Sequence, residues 1–479
     1  MEEEHLLFGI TQQDWAQTPE SVRLGFLTLL DMVKELNVRV KMLEAQTKQT
    51  SRNSSKPPSS DPPSAPPPPP RVPRGKKPGA QAGHPDQQRP FVPPDQVDTV
   101  VELRPTHCTS CSAPLGAQLP LAQAVFCSQV WDIPPIKAVV TEYQQQSLVC
   151  PCCGQLAVAA FPTDMPPGAF GPRATALAAL LHGSYRLSVR ETSRFLSEVC
   201  GLAMCLGSVV KSCDRVSSAL EPLDATIADV VQSQPLVWVD ETGWYQHNER
   251  HWLWVAVSEQ ATLFRIDKSR SQKARKRLLG DAYGGIVHSD RAKAYNDLPN
   301  RQRQLCWAHL ERNFQGLVDA GNEQSWRASL LLGQTRKMWA AWRAFCSGLF
   351  DRVALQMALS EPRTRMREMV EQGRQSGWNK LEETCEELAR RWEALWMFAA
   401  VEGVEPTNNR AERAVRPAVV WRKSCYGTQS EQGSRFVERL LSVGASCKQQ
   451  RQTLLPILVA VLKANWSSTA PPSLFPTPS

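Results

Sequence analysis

No stretch of the sequence approaches the roughly 18 apolar residues that a membrane-spanning helix needs. The most apolar segments, around Leu177 to Leu181 and Leu455 to Leu462, are short and flanked by polar residues. The opening Met1-Glu2-Glu3-Glu4-His5 is acidic, whereas secretory leaders start with positive charge. The expectation is a soluble, intracellular protein with no membrane partner. In a reducing compartment the 14 cysteines serve as thiols or metal ligands rather than as disulfides. Neither sign of charge dominates: 55 Lys and Arg against 47 Asp and Glu leave a net charge of +8. Spread evenly, that excess means little. Gathered into a groove, it attracts a polyanion.

At 479 residues the chain is too long for one compact core. Residues 1–46 carry an apolar repeat, with Val22, Leu29, Leu36 and Leu43 seven apart and Phe26, Val33 and Val40 between them. This a/d seam predicts a helix that self-associates as a coiled coil. The alternative is an amphipathic helix docked on the protein's own core; the narrow seam, its charged flanks and the linker that follows favour self-association. Residues 47–100 are that linker, rich in proline from Ser59 to Pro70 and unable to build a core. Its basic part, Arg71 to Gly79, has the composition of a minor-groove arm, although a solvated tether is the simpler reading.

Residues 101–165 hold Cys108-x2-Cys111 and Cys150-x2-Cys153. Two such pairs set four thiolates around a tetrahedral Zn²⁺, with Pro114 and Gly154 favouring the turns. Four thiolates leave no open position, so the zinc would be structural. The strands of the resulting zinc ribbon are expected near Val139 to Tyr143, and Cys152 is left unassigned. Residues 166–232 predict three helices, Ala174 to Leu181, Arg190 to Val199 and Ser208 to Leu220, with Ser208 as a cap and a turn at Gly201. Helix, glycine turn and helix in this order resemble a helix-turn-helix, a DNA-binding device that small bundles also imitate.

The texture changes at Pro235. Apolar runs predict strands at Leu236 to Val239, His251 to Val257 and Ala261 to Ile266, joined by short connections into an antiparallel meander. A basic helix from Ser271 to Leu279 and a fourth strand, Gly285 to His288, follow. This is the opening of a ribonuclease-H-like α/β fold, expected over residues 233–310 and 403–450. Residues 311–402 lack strand signals and read as a helical insertion, and residues 451–479 as a C-terminal tail.

Asp240 is expected at the end of the first of these strands and Asp290 at the end of the fourth. A carboxylate directly after an apolar run is half desolvated and needs a cation. Two of them side by side repel unless metal ions lie between them. Mg²⁺ takes oxygen ligands, and two ions about 4 Å apart can activate the attacking oxygen and stabilise the leaving oxygen of a phosphoryl displacement. Glu412 is the third carboxylate, in the first turns of a helix capped by Thr407 or Asn408. Arg410, Arg413 and Arg416 recur every three residues on that helix and are candidate phosphate grips, while Asn409 is placed to orient Glu412. Glu241 should face away from Asp240 and take no part in chemistry. Cys306 and His309 form a Cys-x2-His pair that could bind metal, but with no second pair in view they read best as packing residues; a further alternative is that His309 approaches the carboxylates and hydrogen-bonds a phosphate.

Taken in order, Asn53 to Asp61, Lys77 to His84, Val239-Asp240-Glu241-Thr242, His288-Ser289-Asp290, Cys306-Trp307-Ala308-His309 and Asn408-Asn409-x2-Glu412-Arg413 resemble the transposases of the insertion-sequence 66 family. The likeness runs from about residue 50 to residue 445. It implies a DDE transposase with Asp240, Asp290 and Glu412 in the catalytic places, Mg²⁺ as cofactor and a zinc-binding segment before the core. The expected partners are DNA, as element ends and as target, and further copies of the chain, with accessory proteins of the element as additional candidates. The expected location is the bacterial cytoplasm, at the nucleoid. A nuclease that cuts without joining and an inactive transposase acting as a repressor are the rival readings. Ala82, where the family often has proline, and the residues from Ser434 onward depart from the pattern.

Overall fold

The structure is a computed structural model that describes residues 11–47, 50, 52–54, 90–119 and 126–475. The basic segment Arg71–Gly79 and most of the proline-rich linker lie outside the described residues. The chain divides into two units, one of residues 66–140 and 198–202, the other of residues 1–65, 141–197 and 203–479. Within the smaller unit, the chain turns at Cys108, where the Ser112 N–H donates to the Cys108 carbonyl and the Cys108 N–H to that of Ala113.

The larger unit opens with α1 (Gln12–Gln17) and α2 (Glu20–Thr47). On α2, Val22, Leu29, Val33, Leu36 and Val40 are exposed among the described residues, while Phe26 of the same seam is half-buried against the Trp15 ring. A small hairpin follows, β1 (Ser147–Val149) against β2 (Leu156–Val158), with the Cys150–Cys153 turn at its tip. Val139 to Tyr143 form no strand, contrary to expectation. The turn closed by Gly154 at φ +73° reverses the chain and pairs its own immediate flanks instead.

Helices α3 (Pro172–Gly183), α4 (Val189–Cys200) and α5 (Leu206–Ser233) come next. Cys205, not Ser208, precedes the first turn of α5, and α5 runs 28 residues rather than stopping at Leu220. The extension follows from burial: Leu223, Ile227 and Val231 continue the apolar stripe of Val216 and Leu220 into the core.

Five strands form the central sheet: β3 (Leu236–Gln246), β4 (Glu249–Val257), β5 (Thr262–Asp267), β6 (Ile286–Ser289) and β7 (Arg303–Leu305), in the order β5-β4-β3-β6-β7. Pairing is antiparallel from β3 to β5 and parallel across β3, β6 and β7. The β3–β4 hairpin turns at His247 and Asn248, both with positive φ, a conformation that suits the twist of a two-residue loop. Helix α6 (Gln272–Leu279) links β5 to β6, and its cap Ser271 accepts from the Ala274 N–H.

After β7 come α7 (Trp307–Asp319), α8 (Ser325–Cys346), α9 (Arg352–Gly373), α10 (Asn379–Arg390), α11 (Trp392–Leu395) and α12 (Met397–Ala400). They enclose a core of their own around Leu310, Phe314, Leu331, Met338, Leu355, Trp396 and Phe398. The chain returns to the sheet with α13 (Asn409–Cys425), α14 (Glu431–Gln449) and α15 (Leu454–Trp466). Their buried faces join those of α3, α5 and the sheet in the main core.

The β5 edge is sealed by side chains of α14. The N–H groups of Thr262, Phe264 and Ile266 point outward, two residues apart, and donate to Ser446 Oγ (3.1 Å), Ser442 Oγ (2.9 Å) and Glu438 Oε1 (2.5 Å). Those three acceptors are four apart on α14, one helical turn each, so helix and strand run antiparallel with matched repeats. An edge strand that would otherwise template aggregation is closed in this way.

Candidate active site

Asp240 lies within β3 and not at its end, as the sequence pattern suggested. The parallel pairing with β6 stops at Trp238, while the antiparallel pairing with β4 carries β3 on to Gln246. Trp238 is level with His288, so continuing the register two residues sets Asp240 level with Asp290, directly after β6. Glu412 sits in the first turn of α13. That turn is held against β3 by Asn408, whose side-chain amide donates to the Val239 carbonyl at 2.8 Å, one residue before Asp240. Asn408 is the residue at the helix start, but its side chain makes no capping bond because it is committed to β3. All three carboxylates are half-buried.

The charges interact strongly. The carboxyl of Asp240 is held well above its ordinary range, first by desolvation, then by the negative charges of Glu241 and Asp290, and to a smaller extent by that of Glu412. One Asp240 oxygen accepts from the Glu241 N–H (2.9 Å), and an Asp290 oxygen from the Ala292 N–H (2.8 Å). Oε1 of Glu412 is buried with no hydrogen-bond partner. The mutual charge of these carboxylates and the unsatisfied Glu412 oxygen suit a divalent cation bound through oxygen, although among the described residues the three carboxylates do not all lie within 4.8 Å of one another.

Glu241 is buried, and it shares Arg270 with Asp290 instead of standing apart from the site. Its carboxylate takes Arg270 Nε at 2.6 Å and the Tyr295 hydroxyl at 2.5 Å, and Arg270 reaches on to Asp290 at 3.7 Å. Burial raises the Glu241 carboxyl; Asp290 adds to the rise, and Arg270 and Tyr295 oppose it. The fully buried Arg303 donates to the Asp290 and Tyr295 carbonyls and to Ser289 Oγ, fixing the loop that carries Asp290. Nothing in the spacing of Arg270, Tyr295 or Arg303 marked them beforehand. Glu241→Ala is expected to lower stability by about 1–3 kcal/mol, because the buried Tyr295 hydroxyl loses its acceptor. Glu241→Gln, which keeps an acceptor there, should lose less. Thermal unfolding of both variants measures this, and an unchanged midpoint for Glu241→Ala would remove the network from the stability of the fold.

The arginines of α13 part company. Arg410 is half-buried and paired within the protein, bonding Glu405 (2.9 Å) and the exposed Glu259 and lying over the Trp238 ring at 4.2 Å. Arg413 and Arg416 are exposed. Beside Asp290 opens a cleft of about 540 Å³ lined by Arg270, Asp290, Arg291, Lys293, His309 and Asn313. His309 stands with Nδ1 3.6 Å from Glu412 Oε1. His288 is kept neutral by burial, which pushes its pKa down to about 3.

The cysteine turns belong to separate units and are alike in form. The turn amides of Ser110 and Cys111 lower the pKa of Cys108, and those of Cys153 and Cys152 lower that of Cys150. A thiolate cradled by turn amides is the form that binds metal.

The comparisons define the class. Residues 167–435 match the IS66 family of transposases, residues 105–154 match the zinc-finger binding domain of transposase IS66, and residues 12–90 match a family of unknown function. The first match covers more than half of the sequence, and the chain belongs to the IS66 transposase family. The zinc-finger match supports a structural zinc. The chain is 28% identical over 228 residues to the uncharacterized protein y4qI of Sinorhizobium fredii, covering 41% of this chain and 40% of that protein. With y4hP of the same organism it shares 24% over 397 residues, covering 74% of this chain and 70% of the relative. The match to y4qI therefore spans less than half of that relative. Among the described residues no helix is long and apolar enough to cross a membrane.

Proposed function

We propose that the protein is a metal-dependent DNA transposase that cuts at the ends of its element and joins them to target DNA, with Asp240, Asp290 and Glu412 as the metal-holding carboxylates. The observation that carries this reading is the register of β3 and β6, which levels Asp240 with Asp290 while Asn408 ties the start of α13 to the same strand. Three antiparallel strands followed by two parallel ones support a ribonuclease-H-like core over residues 233–310 and 403–450, interrupted by a helical insertion over 311–402. Mg²⁺ ions held there would supply charge neutralisation at the attacked phosphate and at its leaving oxygen.

The protein's own residues then position the substrate. Arg413 and Arg416 are free to face a DNA backbone, and Arg410 stiffens the start of their helix from inside. The cleft with Arg270, Arg291 and Lys293 adds positive charge beside Asp290. In the first step the oxygen of water bonds to phosphorus and the bond to the 3′-oxygen of the element end breaks. In the second, that 3′-hydroxyl attacks a target phosphodiester and displaces a target 3′-oxygen. Each attacking hydroxyl gives its proton to solvent, and each departing 3′-oxygen takes one from it. Cysteines 108, 111, 150 and 153 would share one Zn²⁺, and α4, the turn at Gly201 and α5 would bind the element ends. The exposed seam residues Val22, Leu29, Val33, Leu36 and Val40 of α2 support a homo-oligomer through a coiled coil.

Purified protein with a duplex carrying the element's terminal repeat should cleave in Mg²⁺ and not in EDTA, and should join pre-cleaved ends to a second duplex. Cleavage without joining would reduce the protein to a nuclease. Binding without cleavage would make it a repressor.

A further inference from the structure

Helix α7 begins one residue after Cys306, and Cys306 and His309 lie one turn apart at its start, facing the first turn of α13. Among the described residues, Cys306 Sγ, a His309 ring nitrogen and a Glu412 oxygen lie within 4.8 Å of one another. Cys306 is fully buried and its sulfur already accepts the Asn408 N–H at 3.3 Å, which leaves it behind the site as a spacer. The other two atoms are different. His309 Nδ1 and Glu412 Oε1 are both buried, neither has a hydrogen-bond partner, and they face each other across 3.6 Å. That separation is too wide for a hydrogen bond. Two donors each about 2.1 Å from a shared ion stand roughly 3.0–3.4 Å apart at ordinary coordination angles, which is close to what is seen.

We infer that His309 is a nitrogen ligand to the divalent ion held by Glu412, so that the carboxylate cradle carries one imidazole beside its oxygens. The inference rests on the reading of the three carboxylates as a metal cradle. His288, two residues before Asp290, cannot fill this role. Nδ1 of His288 meets the Val237 carbonyl at 3.2 Å, and its Nε2 accepts the Glu405 N–H at 3.2 Å. Both of its nitrogens are occupied. A nitrogen donor makes the site more hospitable to Mn²⁺ than an all-oxygen cradle would be.

The test uses full-length protein and Mn²⁺ alone, without DNA. Pulsed paramagnetic resonance of bound Mn²⁺ should show the nitrogen coupling of a coordinated imidazole, and protein grown with ¹⁵N-histidine should show it changed to the ¹⁵N pattern. His309→Ala and the better space-filling His309→Asn should both lose the coupling and bind Mn²⁺ about 10-fold more weakly or worse. Coupling that survives in either variant overturns the assignment, as does wild-type protein that binds Mn²⁺ with no histidine coupling; in both cases the carboxylate cradle stands. If Glu412→Gln also leaves Mn²⁺ affinity unchanged, the cradle itself falls and His309 with it.

Discussion

Asp240→Asn should abolish cleavage and, in metal-free protein at neutral pH, raise the unfolding temperature. The two effects have one cause. Desolvation and the neighbouring charges of Glu241, Asp290 and Glu412 hold the Asp240 carboxyl above its ordinary value of 3.8. A group whose pKa is raised in the folded state binds its proton more tightly there than in the unfolded chain. Stability is therefore lost as pH climbs from the ordinary carboxylate range towards the raised value. Asparagine carries no charge, so its advantage should be absent in acid and present at neutral pH. A gain of about 0.5–2 kcal/mol is the usual size for relieving such a site, or about 2–4 °C per kcal/mol in a domain of this size. Adding Mg²⁺ should stabilise the parent and not the variant. Cleavage should fall by about 10³-fold or more, since a lost metal ligand removes several kcal/mol of transition-state stabilisation. Asp290→Asn and Glu412→Gln should match that loss while DNA-end binding is retained. Full activity in any one variant would remove that residue from the mechanism, and an unmoved midpoint for Asp240→Asn would show that the crowded carboxylates store no strain.

The strands of the meander were legible because their inward residues form unbroken apolar runs: Val237 to Val239, Leu253 to Val257, and Leu263 with Phe264. The second half of β3 was not. Asp240, Glu241 and Gly243 interrupt the apolar run with residues that disfavour strands, and pairing with β4 keeps the stretch extended as far as Gln246. Asp240 consequently looked terminal in the sequence and is internal in the fold. What ends there is the parallel neighbour, and a change of neighbour leaves no mark on local composition.

The seal on the β5 edge was hidden for a related reason. Glu438, Ser442 and Ser446, four apart on a helix, look like a solvated face until the outward amides of β5 are set against them. Within the site, the carboxylates were visible because charge straight after an apolar run is costly and therefore conspicuous. Arg270, Tyr295 and Arg303 compensate and position those charges from loops and from a short strand. No periodicity links such positions to the residues they serve. His309 was read mainly as packing, and only its distance to Glu412 draws it towards the site.

One zinc per chain should be found in purified protein, and Cys150→Ser or Cys108→Ser should each reduce it to none. The argument starts from what the β1–β2 hairpin lacks. Both strands have three residues, and every one of them is exposed, Leu148 at 76% and Leu156 at 62%. An isolated hairpin is marginal in water even with an apolar face, and this one buries none. A bound ion can supply the missing free energy, since structural zinc contributes about 10–16 kcal/mol in small finger domains. Turn amides lower the pKa of Cys108 and of Cys150, which favours the thiolate that zinc binds. Chelation should therefore unfold the hairpin and weaken binding to the element ends, while the far more deeply packed sheet and helices keep their cooperative unfolding transition. Elemental analysis gives the stoichiometry, and amide exchange at Leu148 and Ala157 follows the hairpin. A Cys150→Ser protein that keeps a full zinc equivalent would show that the metal is held elsewhere; a hairpin whose amides stay protected after chelation would show that something other than zinc holds it together.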